Sequence, residues 1–278
     1  MDGIQDCRRF FAEFVVKSSG SSDERLISAF AAVPREDFVG RGPWQVFVGS
    51  GYIPTISEDP RHLYQDILVA LATDRKINNG QPSLHARCLA AAAPMPGDSV
   101  VHIGAGTGYY TAILAVLVGP SGRVVAYEIE SDLAARARHN LRNFSNVHVT
   151  AESATTGAIP AADVIYVNAG ATHPPSAWLD ALKIGGRLIF PLTPNEGFGV
   201  MLHITRKAPN IYAANALVRA AFIPCIGARD EATSISIAAA VERQSLKAVR
   251  SLCRSASPDE TAWCIGLGWW LSSSEPVQ

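Results

Sequence analysis

The chain contains 278 residues, of which 48% are hydrophobic and 18% are charged, and its formal net charge at pH 7 is -1. This length can bury a large core and allows one big domain or a domain with an appendage. Nucleic acids and anionic membranes bind clustered positive charge, which this balanced composition does not supply. We therefore expect neither as a partner.

Cysteine usage and the N-terminal sequence bear on the compartment. The five cysteines form no Cys-x-x-Cys pair and no metal-like spacing with the seven histidines, so we expect free thiols and no bound metal. The start MDGIQDCRRF carries acidic residues before any apolar run, unlike a signal peptide. No apolar segment approaches the roughly 20 residues that span a bilayer. These features predict a cytoplasmic protein.

The N-terminal third begins with two helical patterns. Apolar residues recur at helical spacing over residues 5–17 and 22–33, on either side of the turn sequence SSGSS. Residues 34–82 hold scattered prolines and glycines between regular regions, which predicts an irregular but ordered segment that covers the active site. Its last part, INNGQPSLHA at residues 77–86, combines turn-forming residues with a proline suited to a first helical turn.

From residue 83 onward, helical and strand patterns alternate. The run consists of a helix at 83–93, the strand SVVHI, the helix YYTAILAVLV, the strand RVVAYEI, the helix SDLAARARHNL, the strands NVHVT and ADVIYVNA, the helix SAWLDAL and the strand RLIFPL. Short connections and nearly unbroken apolar strands indicate a parallel sheet with both faces covered. We therefore predict an α/β fold with a doubly wound, mostly parallel, Rossmann-like sheet.

The pattern changes again after residue 195. GVMLHITRK predicts a strand, FIPCIG a strand or extended segment, and residues 230–252 a long helix, before a tail whose three tryptophans are expected to pack into a core. The predicted organisation is an N-terminal part (1–82), a cofactor-binding core (83–226) and a C-terminal extension of helix and tail (227–278) on the same globule.

The stretch HIGAGTGYYTAIL places three glycines between a buried strand and a helix, where a ligand can approach the helix N-terminus. A dinucleotide fingerprint would need glycine at position 109, which is tyrosine, so a nicotinamide-dependent oxidoreductase is disfavoured. The spacing G-x-G-x-G, with an acid after the next strand, resembles class I S-adenosylmethionine-dependent methyltransferases. The cofactor-binding residues that we expect from the resemblance and the topology are Gly104, Ala105, Gly106, Gly108, Tyr109, Glu128, Glu152 and Asn168.

We expect different roles for the side chains of Glu128, Glu152 and Asn168. The resemblance implies that Glu128 accepts hydrogen bonds from the two ribose hydroxyls. Glu152 follows the strand NVHVT and either lies near the adenine amine or is a solvated loop carboxylate. Asn168 ends the strand VIYVN, at the edge where open α/β sheets bind ligands, and either faces cofactor or acceptor or simply forms a turn.

The flanking motifs narrow the resemblance. SSDERLISAFAAVPREDFV is similar to the N-terminal helix and VPR-x-x-FV signature of protein-L-isoaspartate O-methyltransferases, and LYQD, LKIGGRLIFPL and FIPCIG also match that family. The resemblance covers most of residues 22–226. The family carries a loop G-Q-T-I-S-x-P-x-x-x-A with a serine thought to engage the acceptor carboxylate. Here Gly80 falls at the serine, and His102 stands where an acid is usual and is expected to be a core histidine.

The acceptor loop leaves two chemistries open. A carboxylate, with a pKa of about 4, is already ionised and needs no general base, whereas a hydroxyl or amine benefits from one. If the acceptor is a carboxylate, the amides of Asn78, Asn79 and Gln81 could orient it. If it is a hydroxyl or amine, His85 or Asp66 is the candidate base.

We therefore expect an S-adenosylmethionine-dependent O-methyltransferase that acts on a carboxylate. The tentative acceptor-side residues are His85, Asp66 and Asn79. The alternatives are a small-molecule O- or N-methyltransferase and a catalytically silent cofactor-binding protein. The acceptor is expected to be a protein, a peptide or a small molecule, and the sequence leaves the oligomeric state open.

Overall fold

The structure is a computed structural model that describes residues 3–243, 245–254 and 257–276. Its α-helices are α1 (Gly3–Ser18), α2 (Glu24–Ala32), α3 (Glu36–Val39), α4 (Pro82–Ala92), α5 (Tyr109–Val118), α6 (Ser131–Asn140), α7 (Ser176–Ala181) and α8 (Glu231–Arg243). Its strands are β1 (Gln45–Phe47), β2 (Tyr52–Pro54), β3 (Ala70–Ala72), β4 (Ile77–Asn78), β5 (Ser99–Ile103), β6 (Arg123–Tyr127), β7 (Val147–Thr150), β8 (Ala162–Val167), β9 (Leu182–Leu192), β10 (Gly199–Ala208), β11 (Ile211–Ala220), β12 (Ser251–Arg254), β13 (Ala262–Gly266) and β14 (Trp269–Ser272). Short 3-10 helices lie at Pro60–Leu63 and Leu246–Ala248.

The chain divides into two compact units, each drawn from two stretches of sequence. The first unit contains the residues up to Gly97 together with Ala105–Ala151, and the second contains Asp98–Gly104 together with the residues from Glu152 onward. The three-part organisation expected from the sequence stays a prediction.

The first unit contains the N-terminal helices, α4 to α6 and strands β1 to β4, β6 and β7. Helix α1 buries one apolar face, including Phe11 and Val15, as its helical spacing predicts. Asp23 caps α2 by accepting a hydrogen bond from the Arg25 N–H at 2.9 Å. Strands β6 and β7 pair in parallel. The two N-terminal helices expected from the sequence are confirmed, with bounds shifted by one or two residues.

The segment between α3 and α4 has more regular structure than the sequence indicates. Strands β1 and β2 form one antiparallel pair, and β3 and β4 form another. The expectation of an irregular, ordered segment therefore missed these two strand pairs. These strands have two or three residues each, which is too short for the alternation of apolar and polar residues that reveals a strand.

A buried arginine holds this segment in place. Arg35 has no exposed surface, and its guanidinium donates to the carbonyl oxygens of Leu63, Gln65 (2.9 Å) and Ile67 (3.3 Å). The same guanidinium lies 5.2 Å from the centre of the Phe11 ring. A buried cation needs such partners, since its desolvation is otherwise costly. The chain around Asp66 is thus fixed by a residue far away in sequence.

The second unit is organised around a sheet with strand order β13-β14-β12-β11-β10-β9-β8-β5. Strand β8 pairs in parallel with β5 and with β9, and the remaining pairs are antiparallel. The α/β class and the parallel core strands are confirmed. Strand β11 was missing from the sequence-based prediction. It follows β10 through a tight turn in which Asn210 adopts a left-handed φ of 60°.

The C-terminal extension differs from its prediction as a helix and tail. Helix α8 ends at Arg243, and the residues predicted to continue it form instead the 3-10 helix and β12. Ser251 and Leu252 of β12 are buried and pair with β11 and β14, so sheet pairing overrides local helical propensity. The tryptophans of β13 and β14 are at most 6% exposed, in agreement with their expected packing role.

Among the described residues, no helix is both long enough and apolar enough to cross a membrane.

Candidate cofactor and acceptor site

The glycine turn connects β5 to α5. Its glycines differ in what a side chain at each position would contact. Gly106 has a left-handed φ of +57°, and a Cβ added there would meet only Leu71, at 3.5 Å. Gly108 has a φ of +98°, and its added Cβ would lie 2.7 Å from Leu141 Cδ1. A side chain at 108 would need a left-handed backbone and would also press on Leu141. At 106 the backbone is left-handed too, but an added Cβ would make only an ordinary contact with Leu71.

Glu128 follows β6 and reaches back to this turn. Its side chain is 6% exposed, and Oε2 accepts a hydrogen bond from the Gly106 N–H at 2.6 Å while Oε1 accepts from the Glu130 N–H at 3.0 Å. Burial raises the pKa of Glu128, and the two backbone hydrogen bonds partly oppose that rise. A carboxylate has about four lone-pair sites, so two donors leave room for further hydrogen bonds.

Ala105 and Tyr109 belong to the protein interior. The Ala105 N–H donates to the Tyr127 carbonyl at 3.1 Å. The Tyr109 ring is 1% exposed and packs edge-on against Phe38, with 5.7 Å between ring centres. Burial raises the pKa of Tyr109, so its hydroxyl stays neutral. Their assignment to the cofactor stays a prediction.

In the second unit, Asn168 lies beside Gly104 and is held by His102. A Cβ on Gly104 would lie 3.4 Å from the Asn168 carbonyl carbon. Asn168 Nδ2 is 2.8 Å from His102 Nε2, and its Oδ1 is buried without a hydrogen-bond partner in the described part of the chain. Burial lowers the pKa of His102 to about 3, so the ring is neutral and Nε2 accepts from the amide. His102 is the core histidine that the sequence led us to expect.

Glu152 directly follows the Ala151 that ends the first unit, and it is exposed. Its predicted position near the adenine amine stays a prediction.

The acceptor loop, which we define as residues 77–81, has polar side chains that form hydrogen bonds within the protein. Asn78 Oδ1 accepts a hydrogen bond from the Gly80 N–H at 2.9 Å, which closes a tight turn. Gln81 Nε2 donates to Asp66 Oδ2 at 2.9 Å. Both side chains are therefore committed to holding the loop.

Asp66 caps helix α4 from outside the helix. Its Oδ1 accepts from the Ser83 N–H at 2.8 Å, and its Oδ2 accepts from the Ser83 hydroxyl at 2.6 Å and from Gln81. The sequence could not reveal this cap, because a helix is usually capped by its own N-terminal residue. Because its oxygens accept these three hydrogen bonds in a structural position, Asp66 is a poor candidate for a catalytic base.

Asn79 differs from the other two amides of the loop. Its side chain is 7% exposed, and its backbone N–H donates to the Val69 carbonyl at 2.8 Å. Within the described residues, Nδ2 is buried without a hydrogen-bond partner. Such a buried donor costs free energy unless something else accepts from it.

His85 lies under Gly80. Its ring is 2% exposed and stacks on Tyr110, with 3.8 Å between ring centres and 17° between planes. Gly80 has a φ of +71°, and a Cβ added there would overlap His85 Nε2 and lie 2.8 Å from Cδ2. The three acceptor-side residues expected from the sequence, Asn79, His85 and the capping residue Asp66, thus all lie in the first unit.

Comparison with known proteins identifies a protein family that this chain matches. Residues 14–230 match the family model of the protein-L-isoaspartate(D-aspartate) O-methyltransferases. A protein-L-isoaspartate O-methyltransferase from Ignicoccus hospitalis is 33% identical over 79% of this chain and 94% of its own length. A protein-L-isoaspartate O-methyltransferase 2 from Marinobacter nauticus is 32% identical over 81% of this chain and 94% of its own length.

Solved structures agree with the sequence comparison. A protein-L-isoaspartate O-methyltransferase structure superposes with a TM-score of 0.62 at 25% identity, covering 78% of this chain and 65% of that one. A Plasmodium falciparum structure, described as a beta-aspartate methyltransferase in complex with S-adenosyl-L-homocysteine, gives a TM-score of 0.63 at 19% identity. It covers 79% of this chain and 98% of its own, and it supports the fold alone.

Proposed function

The chain belongs to the protein-L-isoaspartate(D-aspartate) O-methyltransferase family, and from this membership we propose that it methylates a carboxylate of a protein or peptide. It is an S-adenosylmethionine-dependent methyltransferase. The isoaspartyl carboxylate named by its relatives is the acceptor that we assign to it.

Residues of the glycine turn and of the strand ends suit the cofactor. A Cβ added at the left-handed Gly106 would meet only Leu71, and Glu128, which accepts from the Gly106 N–H, has lone pairs left with which we propose it accepts from two ribose hydroxyls. In the second unit, Asn168 Oδ1 is buried without a hydrogen-bond partner among the described residues, and its assignment to the cofactor remains a prediction. When bound, S-adenosylmethionine supplies a methyl group on a positively charged sulfur. The roles of the chain's residues are to bind, orient and exclude water.

One observation carries the choice of a carboxylate acceptor. Asn79 presents a buried Nδ2 that lacks a hydrogen-bond partner in the described structure, and a carboxylate oxygen is a strong acceptor for such a group. Asp66, one of the two candidate bases expected from the sequence, is engaged by Ser83 and Gln81. The loop thus offers a donor for an anion and no spare carboxylate base. A carboxylate acceptor needs no base, because it is ionised at neutral pH.

The two alternatives are less well supported. A hydroxyl or amine acceptor would benefit from a proton acceptor, and of the two candidate bases, His85 and Asp66, the second is committed to capping α4. A catalytically silent cofactor-binding protein would have no use for a buried amide donor beside a tightly built loop. Cytoplasmic location is part of the proposal, and the five free cysteines are compatible with a reducing compartment.

A labelling experiment tests the proposed function. The purified chain is incubated with methyl-labelled S-adenosylmethionine and an isoaspartyl peptide, and the same peptide with ordinary aspartate serves as the matched control. We expect label in the isoaspartyl peptide and much less in the control. Cofactor binding without label in either peptide would favour the silent protein, and label only in a panel of phenols and amines would favour the small-molecule enzyme.

A further inference from the structure

The hairpin formed by β3 and β4 carries the acceptor loop. The two strands pair antiparallel, with Ala70 opposite Asn78, and the Asn79 N–H extends the pairing by donating to the Val69 carbonyl at 2.8 Å. Residues 73–76 form the turn at the tip of this hairpin. Because β4 is also the start of the acceptor loop, a displacement of the hairpin moves the buried amide of Asn79 with it.

The hairpin lies beside the glycine turn at Leu71, in the middle of β3. Leu71 Cδ1 is the atom that a Cβ added at Gly106 would meet, at 3.5 Å. The Leu71 carbonyl accepts a hydrogen bond from Arg136 Nη1 of α6 at 3.2 Å. The strand is therefore attached both to the turn that we assign to the cofactor and to the helix that follows β6.

Arg75 attaches the tip of the hairpin to the start of α6. Its Nη1 and Nη2 donate to the two carboxylate oxygens of Asp132, at 2.9 and 2.7 Å, and Nη1 also donates to the Glu130 carboxylate. A bidentate pair of this kind fixes the relative orientation of the two groups. The Glu130 N–H in turn donates to Glu128 Oε1 at 3.0 Å. Arg75 thus connects the hairpin, through one residue, to the carboxylate that we assign to the ribose.

These ion pairs lie at the surface. The exposed fraction is 34% for the Arg75 side chain, 31% for Glu130 and 55% for Asp132, and Asp74 Oδ2 lies 3.8 Å from Arg75 Nε. Exposed ion pairs add little to the free energy of unfolding, and salt screens them. The main effect of Arg75 is therefore on the position of the hairpin and only slightly on the stability of the fold.

We propose that Arg75 is a positioning residue, which holds the acceptor loop beside the cofactor-binding turn through its ion pairs with Glu130 and Asp132. The inference rests on the proposed function for the identity of the acceptor. Methyl transfer is an in-line displacement, so its rate depends on how well donor and acceptor are held together. Since Arg75 joins the acceptor segment to the residues assigned to the cofactor, cofactor binding and ordering of the hairpin should favour each other.

Variants of the ion pair test the proposal: Arg75→Gln, Arg75→Lys, Asp132→Asn and the double variant Arg75→Gln with Asp132→Asn. Arg9→Gln is the matched control, because Arg9 forms an exposed ion pair with Glu13 within α1. For each protein we would measure the dissociation constant of S-adenosylhomocysteine at low and high salt, and the hydrogen exchange of residues 70–81 with and without that ligand. The thermal midpoint, and kcat and KM for the isoaspartyl peptide, complete the set.

We expect Arg75→Gln to weaken S-adenosylhomocysteine binding about threefold or more at low salt. It should also remove the protection from exchange that the ligand gives residues 70–81 in the parent chain. High salt should weaken binding more in the parent and in Arg9→Gln than in Arg75→Gln, which has no ion pair to screen. Arg75→Lys should recover part of the loss, since it keeps the charge without the fork. The thermal midpoint should stay within about 4 °C of the parent.

The double variant shows whether Arg75 acts through its carboxylate partners. If it does, adding Asp132→Asn to Arg75→Gln should change ligand affinity little further, whereas independent sites would give additive losses. The ratio kcat/KM should fall by a larger factor than ligand affinity does, because the acceptor loop is displaced as well. Additive losses in the double variant would overturn the proposal, as would an Arg75→Gln variant with the affinity and exchange of the parent.

The same measurements separate this inference from the proposed function. If the parent chain binds S-adenosylhomocysteine but leaves the isoaspartyl peptide unmethylated, the proposed function fails. Ligand affinity, its salt dependence and the exchange of residues 70–81 then decide the inference without any turnover. Loss of affinity and of ligand-dependent protection in Arg75→Gln would support Arg75 as a positioning residue, and values equal to those of the parent would overturn it.

Discussion

At the scale of single residues, the glycines of the turn differ in how closely the protein packs around them. Gly106 and Gly108 both adopt a left-handed backbone, but a Cβ added at 108 would also press on Leu141, whereas at 106 it would make only an ordinary contact with Leu71. The three glycines look equivalent in the sequence. A cofactor role is best tested at Gly106, because a substitution there meets few protein atoms.

We expect Gly106→Val to abolish cofactor binding by filling the space beside the turn. The left-handed backbone should cost the folded state about 1–2 kcal/mol, so the variant should remain folded. Isothermal titration calorimetry with S-adenosylmethionine measures the binding, and Gly106→Ala controls for the backbone strain alone. Unchanged affinity in Gly106→Val would contradict the site assignment.

Glu128→Gln should weaken cofactor binding by about 10- to 100-fold, because ribose hydroxyls lose a charged acceptor. The exposed Glu242 of α8 offers a matched substitution, Glu242→Gln, which should leave the dissociation constant unchanged. Equal dissociation constants for Glu128→Gln and the parent would remove Glu128 from the site.

The raised pKa of Glu128 also predicts a pH dependence. The hydroxyl donors favour the ionised carboxylate, so cofactor affinity should fall as the pH drops through this pKa. Because the pKa is raised, the fall begins at a higher pH than for an exposed glutamate, whose value is about 4.3. Calorimetry over a pH series should show a decline in the parent chain that is absent in Glu128→Gln. Parallel curves would contradict this account.

At the scale of elements, the acceptor loop depends on the cap that Asp66 provides for α4 from outside that helix. Asp66→Ala should uncouple the loop from α4 and destabilise the protein by about 0.5–2 kcal/mol, the usual range for a lost cap. Turnover of the acceptor should fall with cofactor affinity unchanged. Ser83→Ala removes one of the donors and should cost less. Urea denaturation and steady-state kinetics of both variants check this, and wild-type turnover in Asp66→Ala would show that the cap does not position the loop.

The sequence predicted those helices and strands that are determined by residues close together in the chain. The strand before Gly104 and the helix after Gly108 could be read from unbroken apolar runs and from turn chemistry. The cap from Asp66, the contact between Gly80 and His85, and the end of α8 at Arg243 all depend on residues distant in the chain or on turns without a periodic signal. Single-sequence patterns carry no information about such contacts, so the loop could be located but its working groups could not be ranked.

At the scale of the whole molecule, buried neutral histidines should govern stability at acid pH. Burial lowers the pKa of His102 to about 3 and that of His203 to about 4, from an ordinary 6.5. At pH values between these lowered pKa values and 6.5, the folded state therefore binds fewer protons than the unfolded state. This contribution to stability is fully present above about pH 6.5 and is lost as the pH falls below it, by up to about 1.4 kcal/mol per pH unit for each histidine.

Urea denaturation at several pH values measures this loss. His203→Gln should reduce the dependence of the unfolding free energy on pH by about one proton. The same slope in the parent and in His203→Gln would contradict the assignment.

The whole chain also carries a segment that its family match does not cover. The match ends at residue 230, and α8 begins at Glu231. Strands β12, β14 and β13 of this segment continue the sheet of the second unit beyond β11. The segment thus extends a family architecture by adding strands at a sheet edge.

The central claim is that the acceptor atom is a carboxylate oxygen, and the base lability of the transferred methyl group tests it most directly. A methyl ester hydrolyses in mild alkali and releases volatile methanol, whereas a methyl ether or methylamine does not. After reaction with methyl-labelled cofactor, we expect the label on the isoaspartyl peptide to become volatile on alkaline treatment. Label that stays on the acceptor through that treatment would contradict the account.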